Sequence, residues 1–524
     1  MRHVARSLWR PYVCPSCRRG LQPRGRRGFS SAIGETPDIY DVVCVGGGPA
    51  GLALVAALRA SPITSKLRIA LVESQDLAKS RSWALSPDEY SNRCSSLTPT
   101  SVSFLQNIGA WKHVDNTRVQ QYHEMQVWDG QTGSKISFDW SIDTSPFEDV
   151  RSVATMTENA NLVRGLLSRI AELDHDNSHL SIFSNTTVSS IENGPPGAQD
   201  GPDLSAWPVL SLSNSTAIST PQKPIAARLL VGADGINSPV RSFADITANG
   251  WDYGRHGVVA TLSLAGDSTY SSSSPFFPAG SRTAYQRFLP SLGGPIAILP
   301  LPNNHASLVW STKIENAAYL KSLPQEAFIA MINAAFRLSM TDLTYMLGLD
   351  PTATSPDSKP TSSGSLLTQH EDELNWRLQH TPLPSSLPPL VTAVQNKSIA
   401  SFPLRFRHAS SYISPRVALI GDAAHVIHPL AGQGLNLGMG DVASLANTIE
   451  YAVNHGMDIG DHLSLEKYMA ERYLTNTKIG GMCDVLHKLY NVPGNGPVTW
   501  ARSLGLDAIE RLPWVKGFIM KQAE

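Results

Sequence analysis

Two kinds of hydrophobic text alternate along this chain. The first is the short, unbroken apolar run. "YDVVCVGGGPAGLALVAALRA" (Tyr40 to Ala60) begins with such a run, ends it at Gly46, crowds glycines into a turn, and continues in an Ala/Leu pattern of helical kind. "LRIALVES" (Leu67 to Ser74) is a second run, closing at Glu73. Unbroken apolar runs on either side of a helical stretch predict strands buried on both faces and joined by a helical crossover, a βαβ unit. Two further runs end in "LLVGADGINSPVR" (Leu229 to Arg241) and "RVALIGDAAH" (Arg416 to His425). The second kind of text alternates. "MQVWDGQTGSKISFDW" (Met125 to Trp140) reads as a hairpin about Asp129-Gly130, and strand-rich stretches follow at 257–264, 285–301 and 307–311. Because the two kinds are interleaved, two discontinuous domains are expected. Residues 351–390 hold seven prolines among many serines and threonines, which predicts a surface insertion or flexible loop. Beyond Asp441 the text turns helical to the end.

Composition narrows the class. At 524 residues and 42% apolar, the chain can build two or three domains with ordinary cores. The formal charge of -1 hides an asymmetry, since residues 1–32 hold eight arginines and no acid. Without them 35 basic residues face 44 acidic ones, a charge of -9, which argues against a nucleic-acid partner. The Arg-rich, acid-free leader has the composition of a mitochondrial transit peptide, with "RRGFSS" (Arg26 to Ser31) as a processing point. Five scattered cysteines offer no disulfide framework, and no apolar stretch is long enough to span a bilayer.

The chemistry starts with glycines. Gly46, Gly48 and Gly51 form a GxGxxG after a strand and at the start of a helix, and Glu73 stands 22 residues further at the next strand end. The first glycine makes the tight turn, the second lets backbone approach a pyrophosphate, and the third packs helix on strand. Free N–H groups at the helix start favour phosphate, and Glu73 is placed to accept from a ribose hydroxyl. The stretch "GDAAHVIHPLAGQGLNLGMGD" (421–441) poses a separate question, because His425 and His428 between Asp422 and Asp441 could suggest a metal site. No further ligand set with sensible spacing accompanies them, so no metal is expected.

Gly46-x-Gly48-x-x-Gly51, Asp234-Gly235 and Gly421-Asp422 together resemble, in order and separation, the three fingerprints of flavin-dependent aromatic hydroxylases. "SNRCSSLTPTSVSFLQNIGAW" (Ser91 to Trp111), "YQRFLPSLGGPIAILPLP" (Tyr285 to Pro302) and "HKLYNVP" near the C-terminus narrow the resemblance to the ubiquinone-biosynthesis hydroxylases, mitochondrial C5-hydroxylase branch. That resemblance implies an α/β fold: a Rossmann-like FAD-binding domain interleaved with a mixed β-sheet substrate domain, followed by C-terminal helices. It assigns 40–118, 151–250 and 401–450 to the FAD-binding domain, 119–150 and 251–400 to the substrate domain, and 451–524 to the helical region. The implied FAD ligands are Gly46, Gly48, Gly51, Glu73, Arg93, Asp234, Asp422, Pro429, Gly432, Gly434, Leu435 and Asn436. Asp422 would bond the ribityl chain, and the helix starting after Pro429 would face the flavin pyrimidine. Arg287, Pro300 and His428 are the pocket candidates.

The same resemblance implies hydroxylation of a polyprenylated phenol, a polyprenyl-hydroxybenzoate, by O2 through a C4a-hydroperoxyflavin. Two alternatives stay open: a flavoprotein reductase of polyprenyl chains, and a non-catalytic FAD- and lipid-binding subunit. One GxGxxG unit and no separate nicotinamide domain leave two routes for electrons: direct docking of NAD(P)H on the FAD domain, or a ferredoxin with its reductase, which the resemblance to the mitochondrial branch favours and which would need a basic patch such as Arg405 and Arg407. Other ubiquinone-biosynthesis proteins are the expected partners. The expected location is the mitochondrial matrix, peripheral on the inner membrane, with 504–520 apolar enough to lie on a bilayer.

Overall fold

The computed structural model describes residues 36–139, 152–174, 179–196, 203–214, 222–265, 282–351, 353, 367–382, 387–429, 432–492, 496, 497, 499 and 505. The basic leader, the 504–520 segment other than residue 505, and much of the 351–390 insertion lie outside them.

The apolar runs form the spine of one sheet. In spatial order, Val417–Leu419, Ile225–Gly232, Asp38–Val45, Ile69–Val72 and Leu180–Phe183 are all parallel neighbours. The central strands bury side chains on both faces, Val42, Val43, Cys44, Leu229, Leu230 and Leu71 fully so, which is why they read as unbroken hydrophobic text. The crossover helix Pro49–Ala60 starts with proline in its first turn, where the missing N–H costs nothing, and packs between helices Asn159–Leu173 and Gly434–Asn454.

The alternating text builds the second sheet. From one edge it runs His425–Val426, Ala400–Ala409, Ala248–Leu264, His305–Lys313, Gly294–Leu301, Arg282–Leu289, Gln120–Asp129, Ala154–Glu158 and Cys94–Leu97. Gln120–Asp129 and Lys135–Asp139 form the expected hairpin. One face, with Trp128, Ile296, Ile298 and Trp310, is covered by helices Ile314–Ser322, Gln325–Arg337 and Met340–Met346 through Phe328, Phe336 and Leu343. The other turns toward the C-terminal helix His462–Tyr490, where Phe288 and Tyr490 stack at 3.9 Å between centroids.

The structure departs from the sequence reading in two places. Cys94–Leu97, Ala154–Glu158, Ala400–Ala409 and His425–Val426 belong to the second sheet, although they fall in stretches assigned to the FAD-binding segments. Strand partners so distant in sequence leave no local mark. The 351–390 insertion also contains a helix, Gln369–His380. Thr368 and Glu371 form a reciprocal capping box, and His370 and Leu374 are buried.

Candidate functional site: a cofactor cleft at the strand ends

All three glycine motifs meet at the C-terminal edge of the parallel sheet. Val45 is in register with Val72 on one side and Gly232 on the other, and Gly232 with Leu419. A staircase of backbone bonds crosses just beyond: Gly46 N–H to Val72 O (2.8 Å), Ala233 N–H to Val45 O (2.8 Å) and Ile420 N–H to Gly232 O (3.0 Å). Gly46, Glu73, Asp234 and Asp422 are thereby brought side by side from four separate parts of the chain. Ligands of open α/β sheets bind outside such strand ends.

Each glycine has its own constraint. Gly46 has φ +109°, and a Cβ there would lie 2.2 Å from the Ala233 carbonyl oxygen. At Gly51 it would lie 1.9 Å from the Gly46 carbonyl oxygen, so both positions are closed by backbone. Gly48 differs: it caps the helix, and nothing stands within 4 Å of its absent side chain. The same is true of Gly434 at the start of helix Gly434–Asn454. The open space at Gly48 lies beside the free N–H groups of the helix start.

Asp234 and Asp422 have unspent hydrogen-bonding capacity. Asp234 Oδ2 accepts from the Val240 N–H at 3.1 Å, while its Oδ1 is buried without a hydrogen-bond partner. Burial raises its carboxyl pKa, against the pull of the Ser238 hydroxyl and of that N–H. The Asp422 side chain is solvent-accessible but walled by protein, which raises its pKa against the attraction of His425. Of the two, the exposed Asp422 carboxylate is the acceptor that a ligand in the cleft can reach. The turns are fixed from behind: Arg241 donates to the Ala423 carbonyl (2.7 Å) and the Ile236 carbonyl (2.6 Å), locking the second motif to the third.

Both histidines are packed among protein side chains. His425 Nε2 meets Asp441 Oδ2 at 2.6 Å, and Asp441 also accepts from the Gly421 N–H (3.1 Å), Arg472 Nε (3.0 Å) and Asn476 Nδ2 (2.9 Å). Burial alone would raise the Asp441 pKa, but His425, Arg472 and Asn476 outweigh it and hold it below the usual range. His428 is fully buried beside Tyr253 and His487, with ring centroids 5.0 Å and 4.4 Å away. Burial and the neighbouring His487 push its pKa down to about 3, so it is neutral at physiological pH. Among the described residues no group of three or more His, Cys, Asp or Glu is arranged to hold a metal ion.

The FAD binding domain family model matches residues 39–318 and 361–479. The mitochondrial ubiquinone biosynthesis monooxygenase COQ6 of Schizosaccharomyces pombe is 38% identical over 485 residues, covering 92% of this chain and 91% of that protein. The Saccharomyces cerevisiae COQ6 is 38% identical over 94% of this chain and 95% of its own length, and the human one 34% over 93% and 92%. The chain belongs to the mitochondrial ubiquinone-biosynthesis monooxygenases. In this family member the fold extends well beyond close relatives. The p-nitrophenol 4-monooxygenase PnpA of Pseudomonas putida superposes with a TM-score of 0.59 at 17% identity, covering 93% of this chain and 99% of that one. The Pseudomonas aeruginosa protein PqsL gives 0.58 at 20% identity, covering 90% of this chain and all of that one.

The remaining expected site residues of this monooxygenase are placed as follows. Glu73 accepts from the Gly47 N–H, the Ser74 hydroxyl (3.0 Å) and the Gln75 N–H (2.7 Å), which fixes its carboxylate at the turn. Arg93 is exposed just before strand Cys94–Leu97. Pro429 is half-buried, Gly432 takes a left-handed φ of +63°, and Leu435 lies in the first turn of its helix. The Asn436 side chain is committed to protein, accepting from the Thr98 N–H (3.0 Å) and the Ser101 hydroxyl (2.8 Å) and donating to the Ser96 carbonyl (2.9 Å). Arg287 and Pro300 require correction, since both lie on the helix-covered face of the second sheet. Arg287 pairs across strands with Ile296 and Trp128 and donates to the Ala335 carbonyl at 2.8 Å; burial lowers its pKa to about 10. Pro300 stands opposite Ala306, on the side of Ile296 and Ile298. Alternation gives the opposite face to Gln286, Ala297 and Leu299.

A hollow of about 980 Å³ is lined by Ala57, Ala60, Ser61, Ser103 and Asn447. It sits at the far end of helix Pro49–Ala60 from Gly48 and is separate from the cofactor cleft.

Proposed function

We propose that this chain hydroxylates C5 of a polyprenyl-hydroxybenzoate in ubiquinone biosynthesis, using FAD and O2. The observation that carries the reading is the convergence of four strand ends on one cleft, with the exposed Asp422 carboxylate and the open space at Gly48 beside it. Gly46 to Gly51 and the helix start behind them would hold the pyrophosphate, Glu73 a ribose, and Asp422 the ribityl chain. Pro429 to Leu435 would line the flavin ring, with Arg93 approaching from the Cys94–Leu97 side. FAD, when bound, supplies the activation of O2.

The chain's own residues supply binding, orientation and dryness. The start of helix Gly434–Asn454 turns its positive end toward negative charge developing at the ring. The buried, neutral His428 keeps the wall behind Pro429 uncharged. Ala297 and Leu299 offer an apolar surface to a phenol ring and its prenyl tail.

Electrons come from a ferredoxin and its reductase, the route that membership of the mitochondrial branch favours over direct docking of a nicotinamide. Arg405 and Arg407, expected to form the docking patch, share Asp252 at 3.5 and 2.7 Å, so their charge is partly neutralised. The protein works peripherally on the matrix side of the inner membrane. No helix among the described residues is long and apolar enough to cross one.

The test is turnover of a prenylated 4-hydroxybenzoate under oxygen-18. One labelled oxygen at C5 is expected. A product reduced in its chain and free of label, or no turnover with FAD bound and reduced, would overturn the reading.

A further inference from the structure

The C-terminal helix His462–Tyr490 buries one stripe, with Asn476, Gly480, Cys483, His487 and Tyr490 facing the protein. These positions recur at helical spacing, so the opposite stripe is fixed: Leu474, Lys478, Met482 and Val485. Its three apolar members are 57%, 54% and 62% exposed. Solitary exposed hydrophobics need no explanation, but a row of them on one helix face does.

The row continues onto a second element. Lys488 stands with its Nζ 4.5 Å from the ring centre of Trp251, which is 41% exposed and stacks on Phe406. Trp251 belongs to the ribbon formed by Ala248–Leu264 and Ala400–Ala409, where it stands opposite Phe406, while Arg405 and Arg407 on either side of Phe406 take the other face. Along this side of the helix Asp484 pairs with Lys488 at 2.8 Å, and Glu471, a turn before Leu474, stands within 4.0 Å of Lys467. Lys478 has no such partner among the described ion pairs. Lys467, Lys478 and Lys488 thus face two acids on this side, in a chain whose residues 33–524 carry a net charge of -9. Beneath it lie Tyr253 and His487, and in contact with both is His428, one residue from Pro429.

We infer that this face, Leu474, Lys478, Met482 and Val485 with Trp251 and Lys488, docks on an anionic lipid bilayer. Apolar side chains interleaved with lysine, and a tryptophan at the rim, match the boundary between headgroups and acyl chains. Anionic headgroups supply the charge complement. The inference rests on the proposed function in one respect: docking here sets the His428–Pro429 end of the cleft toward the bilayer, where a polyprenyl tail resides.

An environment-sensitive fluorophore on Val485→Cys, in full-length, FAD-loaded protein carrying Cys14→Ser and Cys17→Ser, tests this. The thiol should label rapidly, and the probe should shift to the blue with phosphatidylcholine vesicles containing cardiolipin. A probe on Trp376→Cys, an exposed position on helix Gln369–His380, should not shift. Met482→Glu with Val485→Glu should lower hydroxylation of a vesicle-borne long-chain phenol about tenfold, while a detergent-dispersed short-chain phenol is turned over as before. An unreactive Val485→Cys thiol would mean that the chain's own C-terminus covers the face and would overturn the inference. A probe that responds to ferredoxin and not to vesicles would overturn it in favour of a protein partner. Failure of both phenols with wild-type protein, vesicle response intact, would instead count against the proposed function.

Discussion

Asp441 receives the Gly421 N–H, His425, Arg472 and Asn476 on one buried carboxylate, and so holds the third glycine turn in place. Its folded pKa lies below the unfolded value, so its contribution is complete above about pH 4 and fades as pH falls through the folded value. His428 and His487 act in a different window. Burial lowers them to about 3 and about 4, so below their unfolded pKa of roughly 6.5 the unfolded chain binds more protons. Stability should therefore fall as pH drops from about 6.5 to 4. His487→Gln should remove roughly 3 kcal/mol of that fall, read from urea unfolding at the two ends of the range; equal losses in both proteins would refute the assignment. Asp422 makes a sharper cofactor prediction. Asp422→Ala deletes an acceptor worth about 1.5–3 kcal/mol to a bound ribityl chain, so FAD should dissociate about 10- to 150-fold more readily in a flavin fluorescence titration.

The fingerprint turn separates packing glycines from ligand glycines. Gly51→Ala would drive a methyl into the Gly46 carbonyl and should abolish soluble, FAD-bound protein. Gly48 has an ordinary φ of -72° and open space beside it. Gly48→Ala should hence leave the melting temperature of the FAD-free protein nearly unchanged and weaken FAD binding measurably; unaltered FAD affinity would mean that the pyrophosphate does not lie there. These roles were legible in the sequence because turn, helix start and acid are close together along the chain. The face of Arg287 was not. Its strand, Arg282–Leu289, buries Ala284, Arg287, Phe288 and Leu289 between two packed layers, so no alternation betrays which side a residue takes. Helix Gln369–His380 was hidden for another reason, since the prolines and serines around it dominate the local composition while its capping box is a two-residue signal.

At the scale of the molecule, long-range pairs hold the two sheets to the cleft. Arg118 and Glu158 form a buried ion pair at 2.6 Å, and Arg118 also donates to the Ser86 and Glu89 carbonyls, tying down the loop that leads to Arg93. Nothing in the sequence couples residues 118 and 158, and the pair was not foreseen. The choice of electron donor also belongs to this scale. In anaerobic stopped-flow with substrate present, reduced ferredoxin should bleach the bound flavin rapidly and NADPH alone should not; rapid bleaching by NADPH would show that a nicotinamide docks directly.

The order of strands in the parallel sheet bears on how the protein is made. Gly46 is synthesised 376 residues before Asp422, yet the two line the same cleft. A growing chain carries its glycine turn for most of its synthesis without the third motif that closes the cleft beneath the flavin. A premature stop anywhere before that motif thus yields a chain with no complete cofactor site, not a weakened enzyme. Flavin retention becomes a late checkpoint on the whole polypeptide, and yellow colour in a purified sample reports that the chain was finished.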